Sequence, residues 1–118
     1  LVNYYLNELK DVDSIILPAY DKSIDKSVWH LYPILIDFKK IGISRSKIMD
    51  LLLKSGIQTQ VHYIPLFLQP FYRERNIYFY KGAMSYYEST LSLPLYVQLS
   101  KKDITFISSK IKSIILNE

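Results

Sequence analysis

Ile104, Ile107, Ile111, Ile114 and Ile115 recur at three- and four-residue intervals, and Ser100 to Asp103 stands before them as a capping box with aspartate replacing the usual Glu or Gln. The last 19 residues therefore predict an amphipathic helix whose isoleucine stripe must be covered. A second stripe lies at the opposite end, where Leu1, Tyr4, Tyr5, Leu6 and Leu9 predict a short helix over residues 1–11. That helix has no visible N-cap, which suggests that sequence lies upstream. Between the two ends, 118 residues at 49% hydrophobic and 22% charged suffice for one domain with one core, so disorder and low-complexity fibre are poor readings.

The intervening segments read as a mixture of strands and helices. Ile15-Ile16-Leu17 before Pro18 predicts a short strand within 14–17, and Asp21 to Lys26 a polar turn. Val28 to Phe38 is rich in β-branched and aromatic residues and predicts a strand over 30–38, with Pro33 confined to an edge or a bulge. Ser44 then caps a helix carrying Ile48, Met49, Leu51, Leu52 and Leu53, and Gly56 ends it in the left-handed conformation. Gln58 to Tyr63 alternates and predicts a strand over 58–63, followed by an irregular aromatic segment over 65–80. Gly82 to Leu91 predicts a short helix, and Leu93 to Tyr96 an extended piece. The expected fold class is α+β, a small sheet of mainly antiparallel strands with helices on one face.

Several functions are excluded or disfavoured by residue counts. Cysteine is absent, which removes disulfides, thiolate metal sites and cysteine nucleophiles and fits a cytoplasmic protein. The apolar runs Leu31–Ile36 and Ile64–Leu68 are interrupted by Pro33 and Pro65, far short of the roughly 20 residues of a membrane span, and the opening residues do not read as a signal peptide. The net charge of +4 is spread evenly, with 8 basic and 7 acidic groups in residues 1–59 and 7 and 4 in 60–118, so no basic stripe points to nucleic acid. The three glycines, Gly42, Gly56 and Gly82, form no phosphate-binding loop. Neither histidine has metal-ligand spacing to another ligand. His30 reads as a hydrogen-bonded strand histidine. His62 stands where a strand gives way to a loop, a place at which polar side chains often face a ligand. Tyr4, Tyr5, Tyr86 and Tyr87 fall on helix faces and read as core and rim.

The stretch from Gly56 to Tyr72, with Val61-His62-Tyr63-Ile64-Pro65-Leu66 and Leu68-Gln69-Pro70-Phe71-Tyr72 at its centre, closely resembles the C-terminal domain of the DegT/DnrJ/EryC1/StrS sugar aminotransferases. Trp29-His30-Leu31-Tyr32-Pro33, Leu91-Ser92-Leu93-Pro94-Leu95-Tyr96 and Leu99-Ser100-Lys101-Lys102-Asp103 match further motifs of that family in the family's order. The wording is nearest the branch that aminates UDP-linked 4-keto-6-deoxy hexoses for pseudaminic acid and spore-coat polysaccharide synthesis.

The resemblance implies that residues 1–118 correspond to the small C-terminal domain, roughly the last third of a transaminase, without the large domain that binds pyridoxal phosphate. It transfers no catalytic or cofactor-binding residue to this chain, because none of the twelve lysines matches the Schiff-base motif. It does imply substrate contact for His62 and Tyr63, with Gln69 as a further candidate. Their chemistry suits that role, since imidazole and phenol donate hydrogen bonds to sugar hydroxyls or phosphate oxygens, and tyrosine adds a flat apolar face. The family's second histidine is Phe67 here, and Asn76 to Lys81 is less polar than in relatives.

The expected partners are a companion chain carrying the cofactor domain or a second copy, and a nucleotide sugar in the complete enzyme. Neither nucleic acid nor membrane is expected. A rival expectation is a stand-alone, self-associating or protein-binding domain, since a domain shaped against a larger neighbour leaves an apolar face uncovered.

Overall fold

The computed structural model describes residues 1–19, 27–73 and 79–116. The turn expected over 21–26 lies outside them. The isoleucine stripe forms α6 (Lys101–Leu116), which buries Ile104, Ile107, Ile111 and Ile115. Both ends of the expected capping box are made: Asp103 Oδ2 accepts from Ser100 N and Oγ at 2.7 Å each, and Asp103 N donates to Ser100 Oγ at 3.2 Å. The N-terminal stripe forms α1 (Val2–Leu9), with Tyr5 and Leu9 buried. These two helices lie against each other, and Glu8 of α1 accepts from Thr105 Oγ1 at 3.0 Å and pairs with Lys112 at 3.4 Å.

Among the described residues the sheet has three antiparallel strands in the order β1 (Ile15–Ile16), β2 (Tyr32–Ile36), β3 (Thr90–Leu93). Alternation along β2 buries Tyr32, Ile34 and Ile36 on one face. Against that face a single core gathers Tyr5 and Leu9 of α1, Ile48 and Leu52 of the third helix, Leu91 and Leu93 of β3, and the α6 isoleucines. The rings of Tyr5 and Tyr32 stack at 4.6 Å and 17°, and Tyr5 Oη donates to the Pro94 carbonyl at 2.8 Å.

Strand β2 is shorter than the residues over 30–38 suggested. The ladder begins at the pair Tyr32–Leu93, after the bend at His30, so the chain before Tyr32 makes no further pair with β3. The position of Pro33 is explained by the same register. Ser92 opposite it spends its own N–H and C=O on Gln60, so Pro33 and Ser92 form a non-hydrogen-bonded pair and the Pro33 nitrogen faces the β1 side. There β1 pairs only with Leu35 and Ile36, so Pro33 stands at a local edge although its strand is central in the sheet.

Helix α2 (Phe38–Ile41) was not expected from the residue pattern. Asp37 caps it by accepting from Lys40 N at 3.0 Å, and Gly42 at φ +70° ends it. Helix α3 (Arg45–Lys54) carries the expected Ser44 cap, which accepts from Lys47 N at 3.3 Å, and terminates before Gly56 at φ +77°. Its face is narrower than expected: Ile48 and Leu52 are buried while Leu53 is exposed.

The expected strand over 58–63 is replaced by one isolated bridge between Gln60 and Ser92. The expected irregular segment 65–80 contains a 3₁₀ turn (Leu66–Leu68) and α4 (Pro70–Arg73). Helix α5 (Lys81–Ser89) then runs directly into β3. The Arg45 guanidinium holds that junction by donating to the Tyr87 and Thr90 carbonyls, with its charge 4.9 Å from the Tyr87 ring centroid.

Burial pushes both core phenols above the ordinary tyrosine value of 10.0, with the neighbouring Tyr32, Tyr96 and Asp103 adding to the effect on Tyr5. A raised folded value means that the stabilisation is complete below pH 10 and is lost as pH rises above it. The two rings differ in one respect: the Tyr32 hydroxyl is buried with no hydrogen-bond partner among the described residues. In thermal or urea unfolding at neutral pH, Tyr5→Phe should cost about 1 kcal/mol, whereas Tyr32→Phe should be neutral or slightly stabilising. Above pH 10 both variants should lose less stability than the parent.

Candidate functional site

His62 lies in a groove of about 620 Å³ built by three parts of the chain. One wall is the segment after α3, with Gly56, Gln58 and Gln60; the floor is the end of β3, with Ser92 and Leu93. Opposite stand the first turns of α6, where Asp103 and Phe106 line the rim, and His30 closes one end. The size and the mixture of apolar walls with a few polar groups suit a small-molecule site. A second cavity of about 660 Å³ lies between the sheet and α5, but its polar lining consists largely of exposed side chains such as Asp37, Lys39, Lys40 and Glu88. The first groove holds His62 together with residues from every motif segment, and it is the candidate site.

The backbone holds His62 in place through Ser92. Gln60 N donates to the Ser92 carbonyl at 3.2 Å, Ser92 N donates to the Gln60 carbonyl at 2.8 Å, and the Ser92 Oγ lies 2.8 Å from His62 Nδ1. Two residues of an otherwise irregular segment are thus fixed to one residue of the sheet. The following peptide, His62–Tyr63, is cis. The Tyr63 ring stands edge-on to the imidazole at 4.7 Å and 88°, and at 72% exposure it is open to any molecule resting beside the groove.

Of the three candidates His62 alone lines the groove; Tyr63 stands beside it, and Gln69 lies farther along the chain. It ends the 3₁₀ turn, with its N–H donated to the Leu66 carbonyl at 2.9 Å and its own carbonyl accepting from Tyr72 N at 3.0 Å. It is half-buried and is not part of the groove lining. Phe67 packs in an aromatic cluster, 5.3 Å from the Phe79 ring and 6.5 Å from that of Tyr80. An imidazole there would lose this apolar contact.

His30 departs from its expected place. It is an exposed residue in a bend before β2 and lines the same groove as His62, where the sequence suggested a strand histidine. Gln58, Gln60 and Ser92 likewise emerge as site residues only in three dimensions. The available signal was that all four fall inside the motif stretches: His30 in Trp29–Pro33, Gln58 and Gln60 in Gly56–Tyr72, and Ser92 in Leu91–Tyr96.

Among the described residues no cluster of three or more His, Asp or Glu could hold a metal ion, and no helix is long and apolar enough to cross a membrane. The groove lining contains no lysine. The described lysines outside it are exposed on helix surfaces or engaged, as Lys112 is with Glu8 and Lys110 with the Phe106 ring at 5.7 Å. These residues do not build a place where pyridoxal phosphate could be anchored through a Schiff base.

The sequence profile described as the DegT/DnrJ/EryC1/StrS aminotransferase family matches residues 1–112. The spore coat polysaccharide biosynthesis protein SpsC of Bacillus subtilis is 33% identical over 116 residues, covering 94% of this chain and 29% of that protein. The UDP-4-amino-4,6-dideoxy-N-acetyl-β-L-altrosamine transaminase of Campylobacter jejuni is 33% identical over 95 residues, covering 80% of this chain and 25% of that protein. Among solved structures, the Helicobacter pylori aminotransferase PseC, involved in the biosynthesis of pseudoaminic acid, superposes with a TM-score of 0.87 at 28% identity, over 99% of this chain and 31% of PseC. The PLP-form of the sugar aminotransferase Spr1654 from Streptococcus pneumoniae superposes with a TM-score of 0.85 at 27% identity, over 98% of this chain and 30% of Spr1654. The chain thus spans less than a third of the length of each relative.

The Asp103 carboxylate joins the groove rim to the α6 cap, and its hydrogen bonds from the Ser100 hydroxyl and amide hold it below the ordinary value of 3.8. A lowered folded value gives stability that is present above pH 3.8 and is lost as pH falls through the folded value. Thermal midpoints measured from neutral to acid pH should place Asp103→Ala below the parent at neutral pH. That gap should close as pH falls below about 4.

Proposed function

The chain belongs to the DegT/DnrJ/EryC1/StrS aminotransferase family, and on that premise we propose that residues 1–118 act as the C-terminal domain of a cytoplasmic nucleotide-sugar aminotransferase. The amino group would pass from glutamate to a UDP-linked 4-keto-6-deoxy sugar used in surface polysaccharide synthesis. The observation that carries the reading is the groove holding His62, assembled from the motif segments that the family shares, in a chain that follows PseC over 99% of its length.

In this reading the chain's own residues bind and orient substrate. His62 donates a hydrogen bond to an oxygen of the sugar or of the diphosphate, and Tyr63 lays its exposed ring against the sugar. Gln69, outside the groove lining, could reach only a part of the substrate that extends past the 3₁₀ turn. Pyridoxal phosphate, when bound in a complete family enzyme, supplies the electron sink for amino transfer. Since the described lysines do not fit it, the cofactor-bearing part would be a large domain in the same or a companion chain.

A second reading is a self-associating or protein-binding domain. It is favoured by the exposed Leu66, Phe71, Phe79 and Tyr80, at 64%, 59%, 62% and 57%, which leave apolar surface around the 3₁₀ turn and α4. Calorimetric titration with UDP-4-amino-4,6-dideoxy-N-acetyl-β-L-altrosamine separates the two. Binding weakened about tenfold by His62→Ala is the result expected of a substrate-contact role, given the usual worth of a hydrogen bond to a charged or polar acceptor. A stable homodimer that takes up none of this compound would instead establish the second reading.

A further inference from the structure

The bond between Ser92 and His62 has a direction that the surroundings decide. Ser92 is 4% exposed, and its hydroxyl has one hydrogen-bond partner among the described residues, the His62 ring. A buried O–H left without an acceptor is costly. If His62 Nδ1 carried the proton, that nitrogen would donate to Oγ and the hydroxyl hydrogen would be left without an acceptor. If Nδ1 is bare, the hydroxyl donates to it and both groups are satisfied. The neighbouring backbone allows no easy escape, because the two Gln60–Ser92 hydrogen bonds tie the segment bearing His62 to the same residue of β3.

We propose that Ser92 is a positioning residue: by donating to Nδ1 it fixes the orientation and the tautomer of the His62 ring, so that the neutral imidazole offers Nε2–H to the groove. Nδ1 and Nε2 lie on different edges of the ring, so occupying the first aims the second away from Ser92. A fixed N–H donor selects for acceptor oxygens, which in a nucleotide sugar are sugar hydroxyls, the acetamido carbonyl and phosphate oxygens. The sequence shows why serine suits this position. In β3, opposite Pro33, serine brings a hydroxyl within 2.8 Å of His62 Nδ1 while its backbone is bonded to Gln60. The binding consequence rests on the proposed substrate role of His62, whereas the tautomer does not.

Long-range ¹H–¹⁵N spectra of the histidine side chains, recorded on the full 118-residue chain at a pH where the ring is neutral, read the tautomer directly. The parent should show His62 as the Nε2–H form, Ser92→Ala should show a mixture of both tautomers, and Ser92→Thr should restore the parent pattern. If Ser92→Ala fails to fold, Ser92→Cys keeps the volume and replaces the hydroxyl with a weakly bonding thiol, and should give the same mixture. Affinity for UDP-4-amino-4,6-dideoxy-N-acetyl-β-L-altrosamine should fall about three- to tenfold in Ser92→Ala and recover in Ser92→Thr. An Nδ1–H ring in the parent, or a tautomer unmoved by removing the hydroxyl, overturns the inference. An Nε2–H ring that responds to Ser92 in a chain with no affinity for the nucleotide sugar upholds the positioning role and removes the substrate role assigned to His62.

Discussion

The contact on which the rest of the molecule depends is the stack of Tyr5 on Tyr32 with the hydrogen bond from Tyr5 Oη to the Pro94 carbonyl. It joins the first helix, the central strand and the segment after the last strand, three parts of the chain far apart in sequence. Its rings fill the space over one sheet face, and its polar tip satisfies the carbonyl of the residue that follows the β2–β3 ladder. Pro94, one residue past β3, thus presents its oxygen to the helix layer. Because α1 is held this way, α6 can lie along it, and the first turn of α6 then becomes a wall of the groove.

Ser92 plays a comparable part on the other side of β3. Its neighbours Leu91 and Leu93 point into the core with Ile34 and Tyr32, while Ser92 directs its backbone and side chain toward Gln60 and His62. One strand of four residues thus divides its work by alternation, with apolar side chains covering the helices and a polar residue holding the site. The same alternation allows proline at position 33, because the pair with Ser92 is the kind that needs no hydrogen bond across it.

Local rules made much of this fold legible. The α6 stripe and its capping box, the Ser44 cap, Gly56 and the α1 periodicity each depend on residues within one or two turns of one another, so their meaning is carried by neighbours in sequence. The misjudged elements all depend on distant partners. Gln58 to Tyr63 has the alternation of a strand, yet its backbone pairs with the sheet through one bridge, at Gln60, and periodicity cannot say how many pairs a neighbour will offer. Helix α2 is four residues with an Asp cap and a glycine stop, too short to register as a period. Leu53 looked apolar enough to bury but falls well to the side of the Ile48 and Leu52 row that faces the core.

Caps, stripes and short motifs act over a few residues, so the order of amino acids was enough to specify the longer helices α1, α3, α5 and α6, the α+β class and the run of motifs that carries the family resemblance. It also marked His62 and Tyr63, through the motif in which they stand. Packing in three dimensions was needed to bring His30, Gln60 and Ser92 to the same groove, to set Gln69 apart from it and to turn Phe67 into an aromatic cluster. Those placements follow from strand register and helix packing, as in the contact between His62 and Ser92, 30 residues apart. Such long-range pairings are chosen by the burial of the whole chain, which no local run of residues can specify.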